Sequence, residues 1–139
     1  MRQPCDWWGG NRGINKFCRF CAIADDEYQV SRVGSVVHFE DAYPVSAGHT
    51  LIIPQRHVVD VFEMGTEEVE DMWSAARVVA ACLRRDDPTV TGFNVGFNAG
   101  PDAGQTVMHA HLHVIPRRHG DTPSPRGGVR GVIPGRMAY

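Results

Sequence analysis

Apolar residues along the chain follow two different periods, and the change between them sets the expected elements. Two β-rich runs, 28–33 and 35–40, flank Gly34 and predict a hairpin. Residues 41–48 hold turn formers, Pro44 and Gly48 among them. The run 49–54 (HTLIIP) then predicts a buried strand closed by Pro54. From residue 66 the period lengthens. Val69, Met72, Trp73, Ala76, Val79, Ala80 and Leu83 recur at three- and four-residue steps, so one helix face is apolar, and Met72 and Trp73 are assigned to the core. Thr66 is the expected N-cap, and Glu67, Glu68, Glu70 and Asp71 put negative charge at the positive end of the helix dipole. Arg84 and Arg85 suit its last turn, and Pro88 stops it. Strands resume at 93–98 and 106–116 around a loop at 99–104, and a short helix or turn is expected over 18–24. Strands, one long helix, then more strands predict an α+β domain: an antiparallel sheet of about five strands with the long helix packed on one face.

The flanks carry no period. Residues 1–16 mix Gly, Asn, Trp and Arg and read as a flexible arm; 17–118 form the domain; 119–139 are a Pro/Gly/Arg-rich tail. A chain of 139 residues fits one core of moderate size. A net charge of −2 calls for neither nucleic acid nor an anionic membrane as partner. No stretch is long and apolar enough to span a bilayer, and the start lacks the apolar core of a secretory signal, which places the protein in the cytoplasm. Cysteines there stay reduced, so the Cys18–Cys21 pair favours metal over a disulfide, with redox and inert-thiol roles open; Cys5 and Cys82 have no comparable partner. Charge is uneven in the tail, where Arg117, Arg118, Arg126, Arg130 and Arg136 face a single acid, Asp121. A solvated surface and a contact with an anionic ligand are both open.

The chemistry gathers in GQTVMHAHLHVIP, residues 104–116. His109, His111 and His113 alternate, so on a strand all three rings project from one face while Ala110, Leu112 and Val114 fill the other. Imidazoles this close disfavour one another's protonation. On residue types alone a metal site is open, since histidine is the commonest metal ligand at neutral pH.

His-x-His-x-His preceded by Gly-Gln-Thr resembles the histidine triad (HIT) motif, in particular that of the fragile-histidine-triad hydrolases and their bacterial relatives. The earlier stretch FEDAYPVSAGHTLIIPQRH is similar to the family's other conserved block, in the family's order. The resemblance implies a homodimer whose sheets join edge to edge. It also implies a nucleotide hydrolase or transferase acting at the α-phosphate of dinucleoside polyphosphates through a nucleotidyl-histidine intermediate. His111 would be the nucleophile, His113 a donor to phosphate, and His49 the histidine lying against the nucleophile. Asp41 would hold the ribose hydroxyls, with a turn-capping role equally open. Asn98, Gln105 and Thr106 would contact phosphate. Cys18, Cys21, His57 and His109 would bind a structural Zn2+, as in some bacterial members and the related galactose phosphate uridylyltransferases. Arg126 and Arg130 would meet the polyphosphate chain. A purine nucleoside phosphoramidase using the same histidine, a nucleotide-binding regulator and a zinc-dependent interaction module are the alternatives.

Overall fold

The computed structural model describes residue 15 and residues 17–139. The arm expected over 1–16, Asn15 apart, and Cys5 lie outside the described residues.

Five strands form one antiparallel sheet: β1 (Ser31–Val33), β2 (Val36–Glu40), β3 (Thr50–Pro54), β4 (Val90–Phe97) and β5 (Leu112–Arg118), in the order β1-β2-β3-β5-β4. The expected hairpin forms at Gly34, whose φ of +55° only glycine adopts without strain. Its bend also admits no side chain, because a Cβ there would fall 2.3 Å from the Asp71 carboxylate. That carboxylate accepts both the backbone N–H and the hydroxyl of Ser35, each at 2.7 Å, and so ties the hairpin to the long helix.

Two helices cover opposite faces. The long one, α2 (Thr66–Asp86), lies behind the sheet. Its N-cap is Gly65, not Thr66: the Glu68 carboxylate reaches back to accept the Gly65 N–H at 2.8 Å, so the acid closes the first turn. Met72, Ala75, Ala76 and Val79 pack on Val36, Ile52, Leu112 and Val114. Trp73, expected in this core, is 49% exposed; it borders the buried stripe, and Ala75 is turned inward in its place. The short helix α1 (Arg19–Asp25) lies in front, with Phe20 and Ala24 packed on Val37, Leu51 and Ile53. Alternation thus buries both faces of β2 and β3, at roughly 1.5–3 kcal/mol for each large apolar side chain.

The last strand differs most from expectation. Ladder pairing begins at Leu112, opposite Ile52, and runs to Arg118, so residues 106–111 stand outside it. That segment is held instead by its side chains and by the Ala110 N–H, which donates to the Val58 carbonyl at 2.7 Å. The tail also takes a definite course, with a 3-10 turn at Gly128–Val132. At Gly127 (φ +91°) a Cβ would lie 1.8 Å from the Met137 carbonyl oxygen, a close approach that requires glycine. Among the described residues no helix is long and apolar enough to cross a membrane.

Candidate active site and metal centre

The front face of the sheet is covered by α1 over β2 and β3, and the histidines sit where that cover ends. His113 opposes Leu51 of β3 and Gly96 of β4, so its ring rises from the front. His49 directly precedes β3, and His111 directly precedes β5. The rings of His111 and His113 are 5.1 Å apart, and those of His49 and His113 likewise. His49 therefore meets His113, rather than lying against His111 as the family resemblance implies.

Hydrogen bonds fix each ring's tautomer. His111 Nδ1–H donates to the His109 carbonyl at 2.8 Å, leaving the lone pair on Nε2. The Val45 N–H donates to His49 Nδ1 at 3.3 Å, so His49 carries its proton on Nε2 and donates it to His113 Nδ1 at 2.9 Å. His113 then carries its own proton on Nε2, which is buried with no acceptor among the described residues. A chain of donors that starts at a backbone amide thus ends on an unmet N–H beside the His111 ring. A buried donor left unpaired costs about 1–3 kcal/mol, and an anionic oxygen placed there would recover it.

Burial holds these imidazoles neutral. It pushes His111 below the ordinary histidine range, with the His109 carbonyl pulling the other way. His113 is lowered to about 4 by burial and by its neighbours His111 and His49, against the pull of Asp41. Burial lowers His49 as well, and the Asp41 carboxylate, 3.5 Å from its Nε2, opposes this. Asp41, His49 and His113 bring their ligand atoms within 4.8 Å of one another. A cation there would have to take the Nε2 proton that the Val45 amide fixes in place, so the trio is built as a proton-ordered relay.

Below the relay lies a second cluster. One ligand atom each from Cys18, Cys21, His57 and His109 falls within 4.8 Å of the others. His109 Nδ1 is 3.5 Å from both Cys18 Sγ and Cys21 Sγ, and His57 Nδ1 is 3.2 Å from Cys21 Sγ. A tetrahedral ion with bonds of about 2.3 Å to sulfur and 2.0 Å to nitrogen sets S···N edges at about 3.5 Å, so the spacing fits a metal. The outer contacts fit too. His109 Nε2–H donates to the Pro54 carbonyl at 2.9 Å, which leaves Nδ1 free to ligate, and the Asn15 N–H donates to Cys21 Sγ at 3.3 Å. The two thiols share protons unequally: the hydrogen bond from Cys21 holds Cys18 far below the thiol range, while Cys21 is pushed up.

The remaining predicted residues divide. Asn98 joins His49 and His113 in lining a cavity of about 690 Å3, walled on its far side by Val129 and Val132 of the tail. Asp41 accepts the Tyr43 N–H at 2.9 Å, the turn role left open by the sequence, and keeps its other oxygen toward His49. Gln105 is corrected: both amide hydrogens are spent on the Val59 and Val107 carbonyls, and its oxygen accepts the Gly100 N–H, so it shapes the loop. Thr106 is exposed. The guanidinium groups of Arg126 and Arg130 both lie over the Tyr139 ring, at 4.6 and 4.9 Å, and the tail offers the cavity valines. Phe20 was missed by the sequence reading. Its ring stands edge-on to those of His109 and His111, and its place between the two cysteines was the available signal.

An α+β sheet that carries three alternating histidines at the head of an inner strand, with a fourth just before the neighbouring strand, defines the histidine triad class. A profile of the HIT domain matches residues 26–120, and the chain belongs to the HIT family. An uncharacterised HIT-like protein of Mycobacterium tuberculosis is 36% identical over 115 residues, covering 81% of this chain and 79% of its own length. The nitrilase and fragile histidine triad fusion protein NitFhit of Caenorhabditis elegans is 37% identical over 106 residues, 76% of this chain and 23% of the fusion. The crystal structure of a Zn-bound histidine triad family protein from Mycobacterium smegmatis matches with a TM-score of 0.69 at 36% identity, over 77% of this chain and 79% of that one.

Proposed function

We propose that the chain is a nucleotide hydrolase or nucleotidyl transferase that cleaves dinucleoside polyphosphates at the α-phosphorus, with His111 as nucleophile. The observation that carries this reading is the His111 tautomer: Nδ1–H is committed to the His109 carbonyl, so a neutral ring presents the Nε2 lone pair. In the first step a bond forms from Nε2 to phosphorus and the bond to the leaving phosphate breaks, its electron pair departing on that oxygen. His113 Nε2–H, held by His49, donates to a non-bridging oxygen as charge builds there. Water then attacks phosphorus from the vacated side, releases the nucleoside monophosphate and returns the pair to Nε2. Asp41 accepts from the ribose hydroxyls, Asn98 and Thr106 contact phosphate, and the large cavity beside His113 takes the leaving nucleotide.

Two thiols and two imidazoles with no position left over suit Zn2+ in a structural role, and the Zn-bound relative supports that identity. Two copies would join along β4, an edge strand of eight residues at the end of the sheet order.

Hydrolysis in 18O-labelled water tests the chemistry, with diadenosine triphosphate carrying one stereodefined sulfur at the α-phosphorus, and with the unmodified dinucleotide and adenosine phosphoramidate run side by side. Label is expected in the adenosine monophosphate, with retained configuration at phosphorus and faster turnover of the dinucleotide. Label in the polyphosphate fragment, or inversion, contradicts the double displacement.

A further inference from the structure

His109 presents three groups to four partners. Its Nδ1 faces Cys18 and Cys21 at 3.5 Å, its Nε2–H donates to the Pro54 carbonyl, and its own carbonyl accepts the Nδ1–H of His111. The residue is 0% exposed and lies outside the β5 ladder, so its ring contacts stand where strand pairing would otherwise set its backbone. We propose that the Cys18–Cys21–His57–His109 centre, when it holds its metal, aims the nucleophile: His109 is a positioning residue that fixes the tautomer and direction of His111 through its carbonyl. The inference rests on reading His111 as the nucleophile.

The physical argument is one of lost freedom. A neutral imidazole has two tautomers of similar energy. With a cation on Nδ1, the His109 proton must sit on Nε2, where the Pro54 carbonyl accepts it. Without the cation, Nδ1–H can donate to a sulfur instead. Nε2 then confronts the Pro54 oxygen with a second lone pair, and the ring turns away. The His109 carbonyl moves with it, two residues from His111. The third ligand is braced independently. Arg56, next to His57, makes two bonds to the Glu68 carboxylate at 3.0 and 2.8 Å, and Glu68 also caps α2. The centre therefore joins α1, the start of α2 and the His109 carbonyl that holds the nucleophile in one frame.

The test uses the full chain with zinc as the probe and compares His57→Ala with His57→Cys, which restores four ligands. Three quantities are read besides bound zinc: the imidazole 15N spectrum of His111, the Kd for adenosine monophosphate, and the single-turnover rate of adduct formation. In His57→Ala, zinc is lost, the Nδ1–H signature gives way to mixed tautomers, and adduct formation slows on the order of 10- to 100-fold while the Kd stays within about two-fold. His57→Cys recovers all of them. Zinc loss with an unchanged spectrum and rate overturns the proposal, as does a rate that falls only in step with nucleotide affinity.

Cadmium in place of zinc provides a second measurement on a filled, folded centre, in case His57→Ala does not fold. Its longer bonds shift His109, so the His111 spectrum and adduct rate are expected to change. A centre that serves folding alone leaves both untouched. A metal-responsive spectrum in a protein that never forms the adduct would sink the nucleophile reading and leave the positioning role standing.

Discussion

At the scale of single residues, what matters is where each proton sits. His49 and His113 are neutral because the interior around them solvates charge poorly, and because His113 faces the His111 and His49 rings with Asp41 alone in opposition. The sign of the resulting pH effect follows from linkage. The unfolded chain takes up protons on these residues near pH 6.5, whereas folded His113 resists until about pH 4. Their share of stability is therefore complete above about pH 6.5 and is lost as pH falls from there toward 4. Carboxylates held low by their partners, Glu68 by Arg56 and Gly65 and Asp87 by Thr89 and Arg118, act at the acid end of that window and below it. Urea unfolding followed from pH 8 to pH 4 should be flat and then decline below 6.5, with a shallower decline in His113→Asn. Stability that rises on acidification would contradict the assignment. A protonated His113 would also point a second N–H at His49 Nε2–H, so turnover should fail on the same acid side.

At the scale of elements, the back face of the sheet is conventional packing, and the front is where packing gives way to chemistry. Met72 lies at the centre of the back face, 1% exposed against Ile52, Leu112 and Val114. Met72→Ala should cost about 2–5 kcal/mol, read as a lower urea midpoint, with the His111 environment unaltered. A loss under about 1 kcal/mol would show that the helix is not the sheet's principal cover. Periodicity revealed α2, the hairpin and β3 because each buries a regular stripe. It failed at 106–111 because the sequence alternation continues there while the ladder does not: β4 ends at Phe97, opposite Leu112, pairing with β3 stops at Ile52, and the Gln105 amide turns the chain toward Val59. Trp73 was misplaced because a three- and four-residue repeat marks a stripe without marking its edges. The site residues were legible as types and spacings, through the triad and the CxxC pair. The contacts between them were not, since the Val45 amide, the Pro54 carbonyl and Phe20 act through a fold that brings distant segments together.

At the scale of the whole molecule, three coverings meet around one opening. Helix α2 closes the back, α1 and its metal-binding frame close one side of the front, and the tail's 3-10 turn closes the other. A cavity of about 690 Å3 beside His49 and His113 is large enough for a nucleotide-sized group. Asn98 lines it beside the relay, and the tail valines line its far side. The proposed attack by a ring nitrogen at phosphorus can be tested by trapping the intermediate. The protein is mixed with diadenosine triphosphate labelled at the α-phosphorus, quenched within milliseconds in base, and digested. Acid-labile, base-stable label on the peptide that contains His111, approaching one per chain and absent from His111→Asn, is the predicted result. No label, or label that survives in His111→Asn, would contradict the account.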